Sequence, residues 1–226
     1  MCFWLGHCVY GSDVRYGHAS FGGNFKVWVL VPDGPGPFPV IIYNYDEYWD
    51  LAGDRLATQK GYDLRQFMRE FERWGFISII PVERYQKVQA LKATVLMARQ
   101  MPKALTNRLH LVGLSEGAFL SMKLSEDMPY IKSITVMSPM SIHSSGYYSI
   151  SDLKRNVQAI SIPILYIIGA SDKKWRVSTS YALYEALKQS RSQVMLREYP
   201  ENHRWFWNPD HVFMQDIHAF LKSIPE

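Results

Sequence analysis

The sequence predicts an α/β fold: a mostly parallel, twisted sheet of about eight strands with helices on both faces. Three observations predict it. Short apolar runs alternate with amphipathic helical stretches along the chain. Several runs, such as PVIIY, FISIIP and ILYIIG, are apolar at nearly every position, as strands covered on both faces are. And 226 residues with 47% hydrophobic content supply enough apolar surface for one core, read as a single domain over residues 1–226.

The elements follow in order. Val14 to Tyr16 and Phe25 to Val31 flank Gly22-Gly23-Asn24 and predict an opening antiparallel hairpin. The proline-dense stretch from Pro32 to Pro39 lacks ladder N–H groups and must stop the strand before it. Val40 to Tyr43 is the next strand. Tyr62 to Trp74 is helical, with Leu64, Phe67, Met68, Phe71 and Trp74 on one face, and Gly75 ends it. Phe76 to Pro81 is a strand. Val88, Leu91, Val95 and Leu96 mark a helix that stops near Pro102. Leu109 to Gly113 is a strand and Gly117 to Leu124 the helix after it. Ser133 to Val136 and Ile164 to Ile168 are strands, Val177 to Leu187 a helix, and Val194 to Tyr199 a strand. Phe213, Ile217, Phe220, Leu221 and Ile224 give the closing helix an apolar stripe. Ser138 to Asp152 is the least regular stretch; in a doubly wound sheet it would lie near the strand ends, where ligands bind.

Several function classes lose support. The net charge is +4, but Lys and Arg are scattered and form no run that tracks a groove, which argues against nucleic acid as a partner. Cys2 and Cys8 sit in one short segment and make no disulfide framework. The seven histidines are dispersed without metal-ligand spacing, so neither metal nor cofactor is expected. No apolar run approaches the ~20 residues that span a bilayer. The N-terminus lacks a basic segment and a long apolar one; it does not read as a signal peptide, which favours a cytoplasmic setting. The oligomeric state has no signature here.

The chemistry is carried by Gly113-Leu114-Ser115-Glu116-Gly117. This Gly-x-Ser-x-Gly directly follows the strand LHLVG and directly precedes a helix, the setting of a nucleophile elbow. The tight turn strains the serine backbone and requires small flanking residues. A serine hydroxyl needs a base, and the base needs an orienting acceptor. Asp172 lies just past ILYIIG, in GASD. His203 lies just past VMLREY, in YPENHRWF. Both fall at carboxyl ends of strands downstream of Ser115, in the order Ser, Asp, His. His211 and His218 are rival bases, and Asp152 and Asp210 rival acids. Asp172 alone would also suit a helix cap.

An acyl-transfer site also needs donors for a developing oxyanion. The backbone N–H of Glu116 is one candidate. Tyr45 and Asp46, in the loop after Val40 to Tyr43, offer the second. Asn44, Trp175, Trp205, Trp207, Tyr147 and Tyr148 are candidates for lining a substrate pocket, and ordinary packing explains them equally well.

These segments resemble the dienelactone-hydrolase-like group of α/β-hydrolases. The similarity runs through GPFPVIIYN, FERWGFISIIP, LHLVGLSEG, IPILYIIGASD and YPENHRWFW. By position it implies Ser115 as nucleophile, Asp172 as acid and His203 as base, with serine where dienelactone hydrolase itself carries cysteine. Two departures stand out. Relatives usually carry His-Gly where this chain has Tyr45-Asp46, and Glu116 places another carboxylate beside the nucleophile. Negative charge there would oppose an oxyanion unless screened. The expected activity is hydrolysis of a small or medium ester. A peptidase or acyltransferase on the same triad, and a non-catalytic binding protein that keeps the fold, are the alternatives.

Overall fold

The computed structural model describes residues 14–20, 22–83, 85–125, 128–140, 157 and 159–225. Cys2, Cys8, Tyr147, Tyr148 and Asp152 lie outside them. Eight strands form one sheet: β1 (Arg15–Ser20), β2 (Asn24–Leu30), β3 (Phe38–Asn44), β4 (Ile77–Pro81), β5 (Ala104–Leu114), β6 (Ile131–Met137), β7 (Ile164–Gly169) and β8 (Val194–Tyr199). Their spatial order is β1-β2-β4-β3-β5-β6-β7-β8. The β1–β2 and β2–β4 pairs are antiparallel, and every pair from β4 to β8 is parallel.

The helices are α1 (Glu47–Ala52), α2 (Asp54–Gln59), α3 (Leu64–Arg73), α4 (Lys87–Ala98), α5 (Glu116–Ser125), α6 (Lys174–Lys188) and α7 (Phe213–Ser223), with a 3₁₀ turn over His203–Trp207. The expected elements are all present, with ends that move by a few residues. The prediction of helix from Tyr62 is corrected: Asp63 caps α3 by accepting the Arg65 N–H at 3.0 Å, so Tyr62 stays outside and is free to turn toward the site. The segments α1, α2 and the 3₁₀ turn were not anticipated. Each is five or six residues long, too short for a period to show.

Alternation along each strand sends side chains to two cores. Val40 and Ile42 of β3, with Leu109 and Leu111 of β5, face the layer containing α4, α5 and α6. Ile41 and Tyr43, with Val112 and Leu114, face the layer of α3 and α7. Covering on both faces explains the uninterrupted apolar runs. It also sets the site, because parallel strands deliver their carboxyl ends, and the loops that follow, to one edge.

Candidate active site

Ser115 sits between β5 and α5 with φ 59°, a left-handed conformation that a serine adopts only under constraint. The neighbouring glycines explain how the turn closes. A Cβ on Gly113 would lie 2.5 Å from the Ala118 Cα, and one on Gly117 only 2.0 Å from the Asn44 carbonyl oxygen. Strand, turn and helix are packed backbone to backbone, so no larger residue fits. The Ser115 N–H donates to the Met137 carbonyl at 2.9 Å, pinning the turn to the end of β6. The side chain is fully buried, and among the described residues its Oγ has no hydrogen-bond partner.

Asp172 and His203 are brought together from loops after β7 and β8. The Ala170 N–H donates to the Tyr199 carbonyl at 2.7 Å and the Ser171 N–H to the Glu201 carbonyl at 3.1 Å, which zips these two loops. His203 opens its 3₁₀ turn, where Asn202 accepts the Arg204 N–H at 3.0 Å. The His203 Nδ1 then lies 3.0 Å from Asp172 Oδ2, within ion-pair range although poorly aligned for a hydrogen bond. The rival histidines are otherwise engaged. The His211 ring stacks on Trp205 and its Nδ1 pairs with the Trp205 carbonyl, while His218 stacks on Trp74 at 4.6 Å. Asp210 is exposed at the surface.

The other ring nitrogen holds the unexpected contact. His203 Nε2, the atom expected to face the serine, lies 2.9 Å from Asp46 Oδ2. Asp46 is buried, caps α1 through the Tyr48 N–H at 2.9 Å, and accepts a further hydrogen bond from Trp207 Nε1 at 3.3 Å. Burial by itself would raise the Asp46 pKa, but the histidine contact and these donors outweigh it and hold the carboxyl below its usual range. Asp172 is lowered in the same way, chiefly by His203 against its burial. Burial would lower His203; its two carboxylate neighbours reverse that and raise it above the usual histidine value. With a carboxylate at each nitrogen, the ring is favoured as a doubly protonated imidazolium.

This revises the expected oxyanion loop. The Asp46 N–H is donated to the Tyr62 hydroxyl at 2.9 Å, so that donor is already spent, and the residue contributes through its side chain instead. The Glu116 N–H, first in α5, has no intrahelical partner and points from a helix N-terminus. Tyr45 turns its hydroxyl to Asp50 Oδ1 at 2.8 Å, leaving its backbone beside Gly117.

The Glu116 carboxylate is screened. Lys87, at the start of α4, pairs with it and lies 2.5 Å from Asp50 Oδ2. Burial pushes the Glu116 carboxyl up, and Lys87 opposes that push. Nothing in the sequence relates Lys87 to Glu116, since the two lie on different helices. Asn44 donates to Ser121 Oγ at 2.7 Å and, with Tyr45, Glu83, Lys87, Glu116 and Gly117, borders a small cleft beside the elbow. Among the other pocket candidates, Trp205 is packed between Tyr199, Phe206 and Phe213, and Trp207 is stacked between Tyr48 and Tyr62. Both rings are covered by aromatic neighbours, and Trp207 also donates to Asp46. Trp175 is 44% exposed at the start of α6, with the Arg176 guanidinium over its ring.

Comparison with known proteins gives the family and the fold. A family model for the dienelactone hydrolase family matches residues 75–222, the span that holds Ser115, Asp172 and His203. The chain belongs to the dienelactone hydrolase family. As a member it is a hydrolase by family and an α/β-hydrolase by fold. A candidate dienelactone hydrolase from Klebsiella pneumoniae subsp. pneumoniae superposes with a TM-score of 0.71 at 16% identity, over 93% of this chain and 99% of that one. An acylaminoacyl peptidase from Pyrococcus horikoshii gives 0.72 at 15% identity, over 95% of this chain and 42% of its own. One of two fungal esterases from Rhizomucor miehei gives 0.70 at 15% identity, over 94% and 83%. At these identities the likeness concerns the fold. A search of curated proteins finds no match. No helix among the described residues is long and apolar enough to cross a membrane, and no cluster of His, Cys, Asp and Glu among them suits a metal ion.

Proposed function

We propose that this family member is a serine hydrolase that cleaves a small or medium carboxylic ester through an acyl-enzyme. Ser115 is the nucleophile, His203 the base and Asp172 the group that orients the imidazole. The observation that carries the reading is the left-handed Ser115 at the end of β5, on the same sheet edge as a His203–Asp172 pair 3.0 Å apart.

In the reaction, the Ser115 hydroxyl proton passes to His203 Nε2 while Oγ bonds to the ester carbonyl carbon, and the carbonyl pair moves onto oxygen. The Glu116 N–H, with a second donor from the loop at Tyr45, stabilises that oxyanion. Collapse expels the alkoxide, which takes the proton from Nε2. Water then adds with His203 again as base and releases the acid. The chemistry needs neither metal nor cofactor. A peptidase or acyltransferase would use the same groups, and the leaving group or acceptor alone distinguishes it.

A second reading has a specific observation in its favour. Asp46 holds the nitrogen that must take the serine proton, as it would in a chain that keeps the fold for binding alone. Labelling with a fluorophosphonate probe separates the two. An active elbow labels, and Ser115→Ala abolishes the labelling; a chain that stays unlabelled across pH 6–9 both as wild type and with the Asp46 contact removed by Asp46→Ser refutes the enzyme reading. A panel of p-nitrophenyl esters of increasing chain length then sets the acyl preference.

A further inference from the structure

Resting on the catalytic reading, we propose that Asp46 is a positioning residue that competes with Ser115 for His203 Nε2, so that the serine becomes reactive only when this contact opens. Four observations support it. The contact is direct, at 2.9 Å, and falls on the nitrogen the mechanism requires. The Ser115 Oγ is fully buried and has no partner among the described residues, the complement of a base that is turned elsewhere. Asp46 is buried and held by donors of its own from Tyr48 and Trp207, so its carboxylate does not drift into place by chance. Finally, Asp46 stands at the N-cap of α1, a six-residue helix with no buried residues. The hold of this helix on the core is through the half-buried Tyr48, Trp49 and Ala52 and the Lys87–Asp50 pair, so a shift of α1 exchanges partly exposed contacts and breaks no strand pairing.

The groups around the base are accounted for element by element. Asp46 faces His203 from the loop after β3, Asp172 from the loop after β7, and Arg176 of α6 opposes them with positive charge. Around Asp46 itself stand Tyr43 of β3, Tyr62 before α3 and Trp207 of the 3₁₀ turn, all neutral near pH 7. Two carboxylates against one guanidinium leave His203 in a site that favours the proton. Opening the Asp46 contact, by substrate or by a shift of α1, removes one carboxylate, frees Nε2 and returns the ring toward the neutral form that accepts the Ser115 proton. The order of events is then contact opening, deprotonation of Nε2 to solvent, and transfer of the serine proton.

Two substitutions test this with the full chain. Asp46→Ser keeps an oxygen to cap the Tyr48 N–H but is too short to reach the imidazole. Asp46→Asn keeps the size and removes the charge. The fluorophosphonate labelling rate is followed from pH 5 to 9, and the His203 imidazole is titrated by nitrogen NMR, a readout independent of activity. The expectation is that both variants titrate His203 at lower pH than wild type. Asp46→Ser should label several-fold faster at neutral pH, because the base loses the carboxylate that occupies Nε2. Unchanged titration curves, or a variant that labels more slowly with an unshifted profile, would overturn the proposal while leaving the catalytic reading intact. If wild type and both variants never label, the catalytic reading fails, and the role of Asp46 as competitor for the serine's base fails with it.

Discussion

His110 offers a measurement of how this sheet responds to acid. It lies in the middle of β5, paired with Ile41 on β3 and Ser133 on β6, and is fully buried. Its Nδ1 is 2.8 Å from Ser133 Oγ, its Nε2 has no partner among the described residues, and Phe76 meets the ring edge-on at 5.9 Å. Burial, with the charges of Arg108 and Lys132, pushes its pKa down from 6.5 to about 3. The unfolded chain therefore takes up a proton near pH 6.5 that the folded chain refuses, and stability is lost as pH falls. From pH 7 to pH 5 the uptake ratio between the two states grows to roughly thirtyfold, a loss of about 2 kcal/mol, and about 3 kcal/mol by pH 4. The control is His110→Asn, which keeps a polar atom near the Nδ1 position and cannot titrate. Urea unfolding at pH 7, 6 and 5 reads the difference. The variant should be less stable at pH 7, from its lost volume, and the gap should close by about 2 kcal/mol at pH 5. Parallel pH curves for the two proteins would refute the reasoning, since all other groups titrate alike in both.

Three further outcomes follow from the site. Gly117→Ala places a Cβ 2.0 Å from the Asn44 carbonyl oxygen, so the elbow and the oxyanion loop must part; thermal melting should show a loss of about 1–3 kcal/mol, and probe labelling of Ser115 should fall far more than stability does. Lys87→Met leaves the Asp50 and Glu116 carboxylates facing one another without their cation; the cost should be about 3 kcal/mol at pH 7 by chemical denaturation and should shrink in acid as the carboxyls take protons. The His203 cluster has two limbs: the raised histidine stabilises below its ordinary 6.5 and loses this as pH rises through its folded value, whereas Asp46 and Asp172 stabilise above their ordinary 3.8 and lose it as pH falls through theirs. The stability gap between wild type and His203→Gln should therefore be widest near pH 5–6 and narrow toward alkaline pH.

Much of this protein is written in local pattern. The uninterrupted apolar runs at Val40 to Tyr43 and Ile164 to Ile168 declare strands buried on both faces, because a doubly covered strand has no polar side to show. The Gly-x-Ser-x-Gly after LHLVG declares the elbow, because only hydrogen at Gly113 and Gly117 lets the backbones approach. Parallel topology then obliges the loops holding Asp172 and His203 to share one edge with Ser115.

What the tertiary structure decided was the partner of each polar group. The sequence placed Asp46 near the site and suggested its backbone as a donor; the fold spent that N–H on Tyr62 and aimed the carboxylate at His203, across 157 positions of chain. It likewise set Lys87 against Glu116, 29 positions apart, and so screened a charge that looked adverse. Local pattern reports which surface of an element is buried, since burial follows a period of two or 3.6 residues. Electrostatic pairing follows no period: it depends on where side chains end in three dimensions, and a short helix such as α1 can turn one carboxylate toward or away from a base without changing any pattern a reader could see.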